Sequence, residues 1–170
     1  KDILNENTLP YRDQTLLLKG KQTAGNIFSR DSGPILNIKD IILTEIDKYR
    51  ARFGEEDEGF LKRWPEQFNL NGWLIRMKSG GQIAPHMHSN GWVSGAVYIN
   101  VPAKETPNSG NFVVCLDDQQ FHETGRGVEE NIINISTGSL VIFPSSLLHY
   151  TIPFNSVEDR IVLAFDAMPV

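Results

Sequence analysis

The chain has 170 residues, 40% of them hydrophobic and 22% charged, with a formal net charge of −5. That is enough apolar material for one folded domain and too much for wholesale disorder. The acidic balance, without a basic cluster, argues against a nucleic-acid or anionic-membrane partner. Cys115 is the single cysteine, which rules out an intrachain disulfide and suits a reducing, cytoplasmic setting. No apolar run reaches membrane-spanning length.

Residues 1–34 read as irregular structure with short extended pieces, and Thr15–Gly20 ("TLLLKG") forms a plausible strand. Next, Ile38, Ile42, Ile46, Tyr49 and Phe53 recur at spacings of three and four, which predicts a helix over about 37–53 with one apolar face. Asn37 is placed to cap its start and Gly54 to end it. Glu55–Phe60 ("EEDEGF") is a solvated acidic turn. From Phe68 the character changes to short β-type runs separated by Gly, Pro, Asn and Ser, with no helical period between them. The expectation is a mainly β chain of one domain, 1–170. A flank over 1–67 packs its helix against an antiparallel sandwich or barrel over 68–170.

Two of the four histidines, His86 and His88, stand at i and i+2 in "GGQIAPHMHSNGW". In extended backbone alternate side chains share a face, so both imidazoles point the same way. Imidazole is a common ligand for borderline divalent metals, and two from one segment occupy adjacent corners of a coordination sphere. His149 is the candidate third ligand. It follows the run "GSLVIFP" and a short turn. The two elements are built alike. One has Gly80, five residues, then His86-x-His88; the other has Gly138, five residues, Pro144, then His149. H-x-H alone does not specify a metal; the paired elements carry the reading. Other chemistry-bearing residues keep plainer assignments. Cys115 is a small buried hydrophobe, His122 belongs to a polar loop, and Trp73 and Trp92 are core or cavity wall. Asp117 and Asp118 lie in a solvated turn.

The paired elements resemble the two halves of the cupin motif, with Ser146 where a glycine is usual and no Glu after H-x-H. The blocks "HMHSNGWVSGAVYINVP", "GSLVIFPSSLLHYTIPF" and "EDRIVLAFDAMP" further resemble the 2-oxoglutarate/Fe(II)-dependent oxygenase domain often found after tetratricopeptide repeats. "KQTAGNIF" and "GPILNIKDIILTEIDKYRARF" are similar to its N-terminal flank. The resemblance implies a double-stranded β-helix (jelly-roll) with a metal at its open end. Fe(II) and 2-oxoglutarate are the implied cofactors, and His86 and His149 the implied ligands. His88 falls where the superfamily has a carboxylate: either it completes a three-histidine set, or it turns away and water takes the position, with Asp117 or Asp118 the less favoured source of a carboxylate. Arg160, eleven residues after His149, stands where a basic residue grips the far carboxylate of 2-oxoglutarate; a planar guanidinium does so bidentately. Tyr98, which shares a strand face with Trp92, Ser94 and Ala96, either bonds the cosubstrate through its hydroxyl or fills the barrel core.

The expected function is hydroxylation of a small molecule or a protein side chain. Two alternatives stay open: a three-histidine dioxygenase of the thiol dioxygenase type, independent of 2-oxoglutarate, and a non-catalytic metal- or ligand-binding module. The class also leaves a homodimer open.

Overall fold

The computed structural model describes residues 9–56, 59–115 and 130–170. Among these described residues nine strands form two antiparallel sheets: β1 (Tyr11–Arg12), β2 (Leu17–Thr23), β3 (Phe68–Ile83), β4 (Val93–Asn100), β5 (Phe112–Cys115), β6 (Glu130–Ile133), β7 (Leu140–Pro144), β8 (Leu148–Thr151) and β9 (Arg160–Pro169). The larger sheet runs β1-β2-β3-β9-β4-β7 and the smaller β6-β5-β8. Residue His86 adds a fourth, abbreviated rung to the smaller sheet through an antiparallel bridge to His149. Two four-stranded layers, β3-β9-β4-β7 over β6-β5-β8-His86, make the mainly β jelly-roll that the sequence implies.

Strand alternation divides the interior in two. On β9, Leu163, Phe165 and Ala167 face the helical flank, while Val162 faces the space between the sheets. On β4, Val93 goes to the flank side, and Ala96 and Tyr98 go between the sheets. Helix α1 (Gly33–Phe53) closes the flank side with Ile35, Ile42 and Ile46 against Leu70, Leu74 and Phe165. Ile42 and Ile46 are fully buried, each contributing about 1.5–3 kcal/mol of transfer free energy. Ile38 and Tyr49 pack partly buried on the same cluster, and Phe53 meets Tyr49 at a ring separation of 5.0 Å. Helix α2 (Gly59–Lys62) is a single turn.

The helix start corrects the sequence reading. It begins at Gly33, not near 37, with Ser32 at the cap position and Pro34 in the first turn; Asn37 lies inside the helix. Proline in a first turn loses no intrahelical bond and brings its φ already set, so it marks the start better than Asn37 does. Gly54 does end the helix, but in right-handed backbone (φ −67°). Trp92 is a second correction. It does not join the Tyr98 face but stacks on Phe60 at 5.0 Å on the flank side. Among the described residues no helix is long and apolar enough to cross a membrane.

Candidate metal centre

Two turns deliver the histidines. Gly80 (φ +75°) bends the end of β3, and Gly138 (φ +88°) turns the chain into β7. Both are left-handed conformations that favour glycine, which is the local reason the Gly-x5 spacing recurs. After β3 the chain is extended but outside a regular strand. His86 exchanges two backbone bonds with His149 (3.0 and 2.9 Å), and the His88 N–H donates to Ser145 O at 2.9 Å. The i, i+2 relation therefore survives, and both rings turn inward beside His149.

The three rings converge. The Nε2 atoms of His86 and His88 stand 3.1 Å apart, and the ring centroids of His86 and His88 lie 4.3 and 5.1 Å from that of His149. One ring nitrogen from each histidine falls within 4.8 Å of the others. The opposite nitrogens are all occupied. His86 Nδ1 faces Ala84 O at 2.9 Å, His149 Nδ1 faces Leu147 O at 2.8 Å, and His88 Nδ1 faces Asp166 Oδ1 at 2.5 Å. Acceptors at every Nδ1 assign the proton there and leave each Nε2 with a bare lone pair. With both rings neutral the 3.1 Å approach sets two lone pairs face to face, an arrangement that a cation between them resolves.

The electrostatics agree. Burial drives the His149 imidazole down to about 3, with nearby His86 adding to the effect. Burial also lowers His86. Both are neutral ligands at neutral pH, as metal binding requires. The His149 ring is held between Phe143 and Phe112, with centroids at 4.6 and 5.5 Å. On the chemistry of this donor set the residues fit a divalent metal of the iron, zinc or nickel type.

A cavity of about 270 Å³ opens from the triad into the barrel, lined also by Tyr98, Trp73 and Arg160. Arg160 is 2% exposed. Its Nε has no hydrogen-bond partner, its Nη1 meets only the Met77 thioether at 3.7 Å, and its Cζ lies 5.1 Å from the Tyr98 ring. Asp159, next to it in sequence, pairs with Arg76. Burial pulls the guanidinium down from its usual range, with Tyr98 opposing the shift. Burial likewise pushes the Tyr98 hydroxyl up to about 12. The Tyr98 side chain is its polar neighbour, but no described carboxylate pairs with it; a buried charge without a counter-ion is costly, and an anionic ligand removes the cost.

The structure thus brings together all five residues singled out from the sequence: His86, His88, His149, Arg160 and Tyr98. Asp117, Asp118 and His122 lie outside the described residues. Cys115 is buried on β5. Sequence reasoning missed Asp166 and Ser145. Asp166 is 8% exposed, and its Oδ1 also accepts from Ser94 Oγ at 2.6 Å; Ser94 Oγ lies 2.7 Å from Ser145 Oγ. The signal that could have found Asp166 is a lone carboxylate inside the apolar strand "RIVLAFDAMP".

The fold has known counterparts. The chain is similar to the crystal structure of a Pseudomonas putida prolyl-4-hydroxylase, with a TM-score of 0.59 and 18% identity over 97% of this chain and 79% of that one. It is similar to Streptomyces hygroscopicus HygX, solved with nickel and 2-oxoglutarate bound (0.56, 12% identity, 96% and 75% covered). It is also similar to a 2OG-Fe(II) oxygenase family oxidoreductase from Burkholderia pseudomallei (0.55, 16% identity, 96% and 73% covered). At these identities the likeness shows the shared fold. No curated protein matches the chain in sequence. Residues 71–166 match the family described as "Putative 2OG-Fe(II) oxygenase". That match spans more than half the chain, so the chain belongs to this family: it is a non-haem iron oxygenase whose cofactors are Fe(II) and 2-oxoglutarate.

Proposed function

We propose that His86, His88 and His149 hold Fe(II) and that Arg160 takes the far carboxylate of 2-oxoglutarate. On this reading the chain hydroxylates a C–H bond of a small molecule or a protein side chain. One observation carries the reading. Three converging imidazoles and one buried guanidinium that no described carboxylate neutralises face the same cavity. The first set calls for a cation and the second for an anion. When bound, the iron would activate O₂, the oxidant, with 2-oxoglutarate giving up two electrons as it is decarboxylated; one oxygen atom would end in succinate, released with CO₂, and the other in the hydroxylated substrate.

The protein's part is to bind, orient and exclude water. Each ligand imidazole is fixed by an acceptor at Nδ1, which holds the tautomer that presents Nε2. The Arg160 fork sets the direction in which a dicarboxylate lies. Tyr98, 1% exposed beside Arg160, keeps its hydroxyl protonated and supplies one further donor. Phe112, Phe143 and Val162 line the cavity with apolar surface, which lowers the local dielectric and strengthens every charge interaction within it. Among the structural relatives one is a prolyl-4-hydroxylase and another was solved with hygromycin B, which supports a peptidyl or small-molecule substrate alike.

The test is succinate formation from 2-oxoglutarate with Fe(II) and O₂, followed in the absence of any added substrate. The wild-type chain should form succinate slowly. Each of His86→Ala and His149→Ala should abolish it. Equal rates in wild type and variants would sink the assignment. Oxygen uptake with small thiols, without 2-oxoglutarate, would instead favour the thiol dioxygenase reading of the same three histidines.

A further inference from the structure

The donor set lacks the carboxylate that this class of site usually carries, yet a buried carboxylate stands one imidazole away. Asp166 Oδ1 is 2.5 Å from His88 Nδ1, the nitrogen opposite the one that faces His86. Among the described residues Asp166 is not part of the cluster whose donor atoms converge. Strand register places it: on β9 it pairs with Ser94 of β4 and Asn71 of β3. Ser94, fully buried, donates to the same oxygen at 2.6 Å and lies 3.1 Å from His88 Nδ1. Ser145, 1% exposed, meets Ser94 Oγ at 2.7 Å. Asp166 is thus held on one side by the Ser94 hydroxyl, itself braced by Ser145, and aimed at one imidazole on the other. No Lys or Arg among the described residues pairs with it. A buried carboxylate in that setting needs positive charge nearby, and His88 is its only route to one.

We infer that Asp166 is the positioning carboxylate of the metal centre. It sets His88 in the Nδ1–H tautomer, aims Nε2 into the site, and lends the metal through the ring the negative charge that a directly bound carboxylate would otherwise supply. Such outer partners raise the basicity of the ligand they hold, and their loss costs roughly 10–100-fold in metal affinity. The inference rests on the three-histidine reading above. It adds that His88 is a full member of the set because Asp166 makes it one, and it assigns Ser94 the task of holding Asp166 in place.

The test is an anaerobic titration of apoprotein with Co(II), read by its visible ligand-field bands and by calorimetry, with no turnover involved. Asp166→Asn keeps an oxygen acceptor but removes the charge. It should weaken Co(II) by about 10–100-fold and shift the bands. In a His88→Asp background the ring that couples Asp166 to the metal is gone, so the same Asp166→Asn change should cost no affinity. An unchanged affinity in Asp166→Asn, or an equal loss in both backgrounds, would overturn the proposal in favour of a merely structural carboxylate. If the variants do not fold, the unmutated Zn(II) protein decides. Nitrogen-15 spectra of labelled histidine should place the His88 proton on Nδ1, shifted downfield relative to His86 and His149. A His88 proton on Nε2, or no such shift, overturns it. His149→Ala separates the two levels. If that variant binds Co(II) as tightly as wild type, the metal-site reading itself fails. If His149→Ala loses Co(II) while Asp166→Asn does not, only the role of Asp166 fails.

Discussion

At one end of the cavity three imidazoles turn their lone pairs on one another; at the other a guanidinium turns its N–H groups on a thioether and a tyrosine ring. The two ends are unsatisfied in opposite senses, and they differ in how the protein supports them. Each imidazole has an acceptor behind it, so the triad is braced and leaves only its inner nitrogens bare. Arg160 has weaker support: Tyr98 lies beside it, but its Nε has no partner and Asp159, next to it in sequence, is engaged by Arg76. The contrast teaches which groups the protein satisfies itself and which it leaves for a ligand. The triad is preorganised for a cation at little cost to the apoprotein, because burial keeps His86 and His149 neutral. Arg160 keeps a buried charge that an anion relieves.

The sharpest way to break the comparison is to remove one ligand from the braced end. His149→Ala should lose stoichiometric iron, an effect larger than the roughly 10–100-fold associated with outer partners, measured by metal analysis of protein purified without chelators. At the other end Arg160→Met should weaken 2-oxoglutarate by about 2–5 kcal/mol, measured by calorimetry with Co(II) in place of iron. The same substitution should leave the ligand-free protein as stable or more stable by about 1–4 kcal/mol, because it removes an uncompensated buried charge. A drop in apoprotein melting temperature would mean that Arg160 is satisfied within the fold.

Acid should act on the braced end. His149 is held near 3 and His86 is also lowered, both chiefly by burial. The unfolded chain, with histidines near 6.5, therefore binds more protons than the folded one between about pH 3 and 6.5. Apoprotein stability should be full above about pH 6.5 and fall as the pH drops toward about 3. His149→Phe should flatten part of that slope; an unchanged slope in thermal melts would contradict it. The smallest effect belongs to the turns. Gly138 sits at φ +88° with open space where a Cβ would go, so Gly138→Ala should cost about 1–2 kcal/mol of stability through backbone strain alone and leave metal affinity unchanged.

Much of this site is legible in the sequence because its signals are local. The turn glycines, the i, i+2 histidines and the Gly–Pro–His run each report nearby backbone geometry, and Arg160 stands at the head of a strongly apolar strand. What is not legible depends on register. Asp166 meets His88 across 78 positions of sequence, through the pairing of β4 with β9, which no local pattern encodes. Trp92 is misplaced by the alternation for a related reason: it precedes β4 and leaves the pattern that governs Ser94, Ala96 and Tyr98. The helix start is legible in Pro34, but Asn37 competes as a cap and lies one turn inside.

The most direct test of the central claim, that one cavity holds Fe(II) on His86, His88 and His149 and 2-oxoglutarate on Arg160, is an anaerobic visible titration of the Fe(II) protein with 2-oxoglutarate. The expected result is a weak charge-transfer band that saturates at one equivalent, disappears in His149→Ala, and in Arg160→Met requires far higher 2-oxoglutarate. No band in the wild-type protein, or the same band at the same concentrations in both variants, would contradict the account.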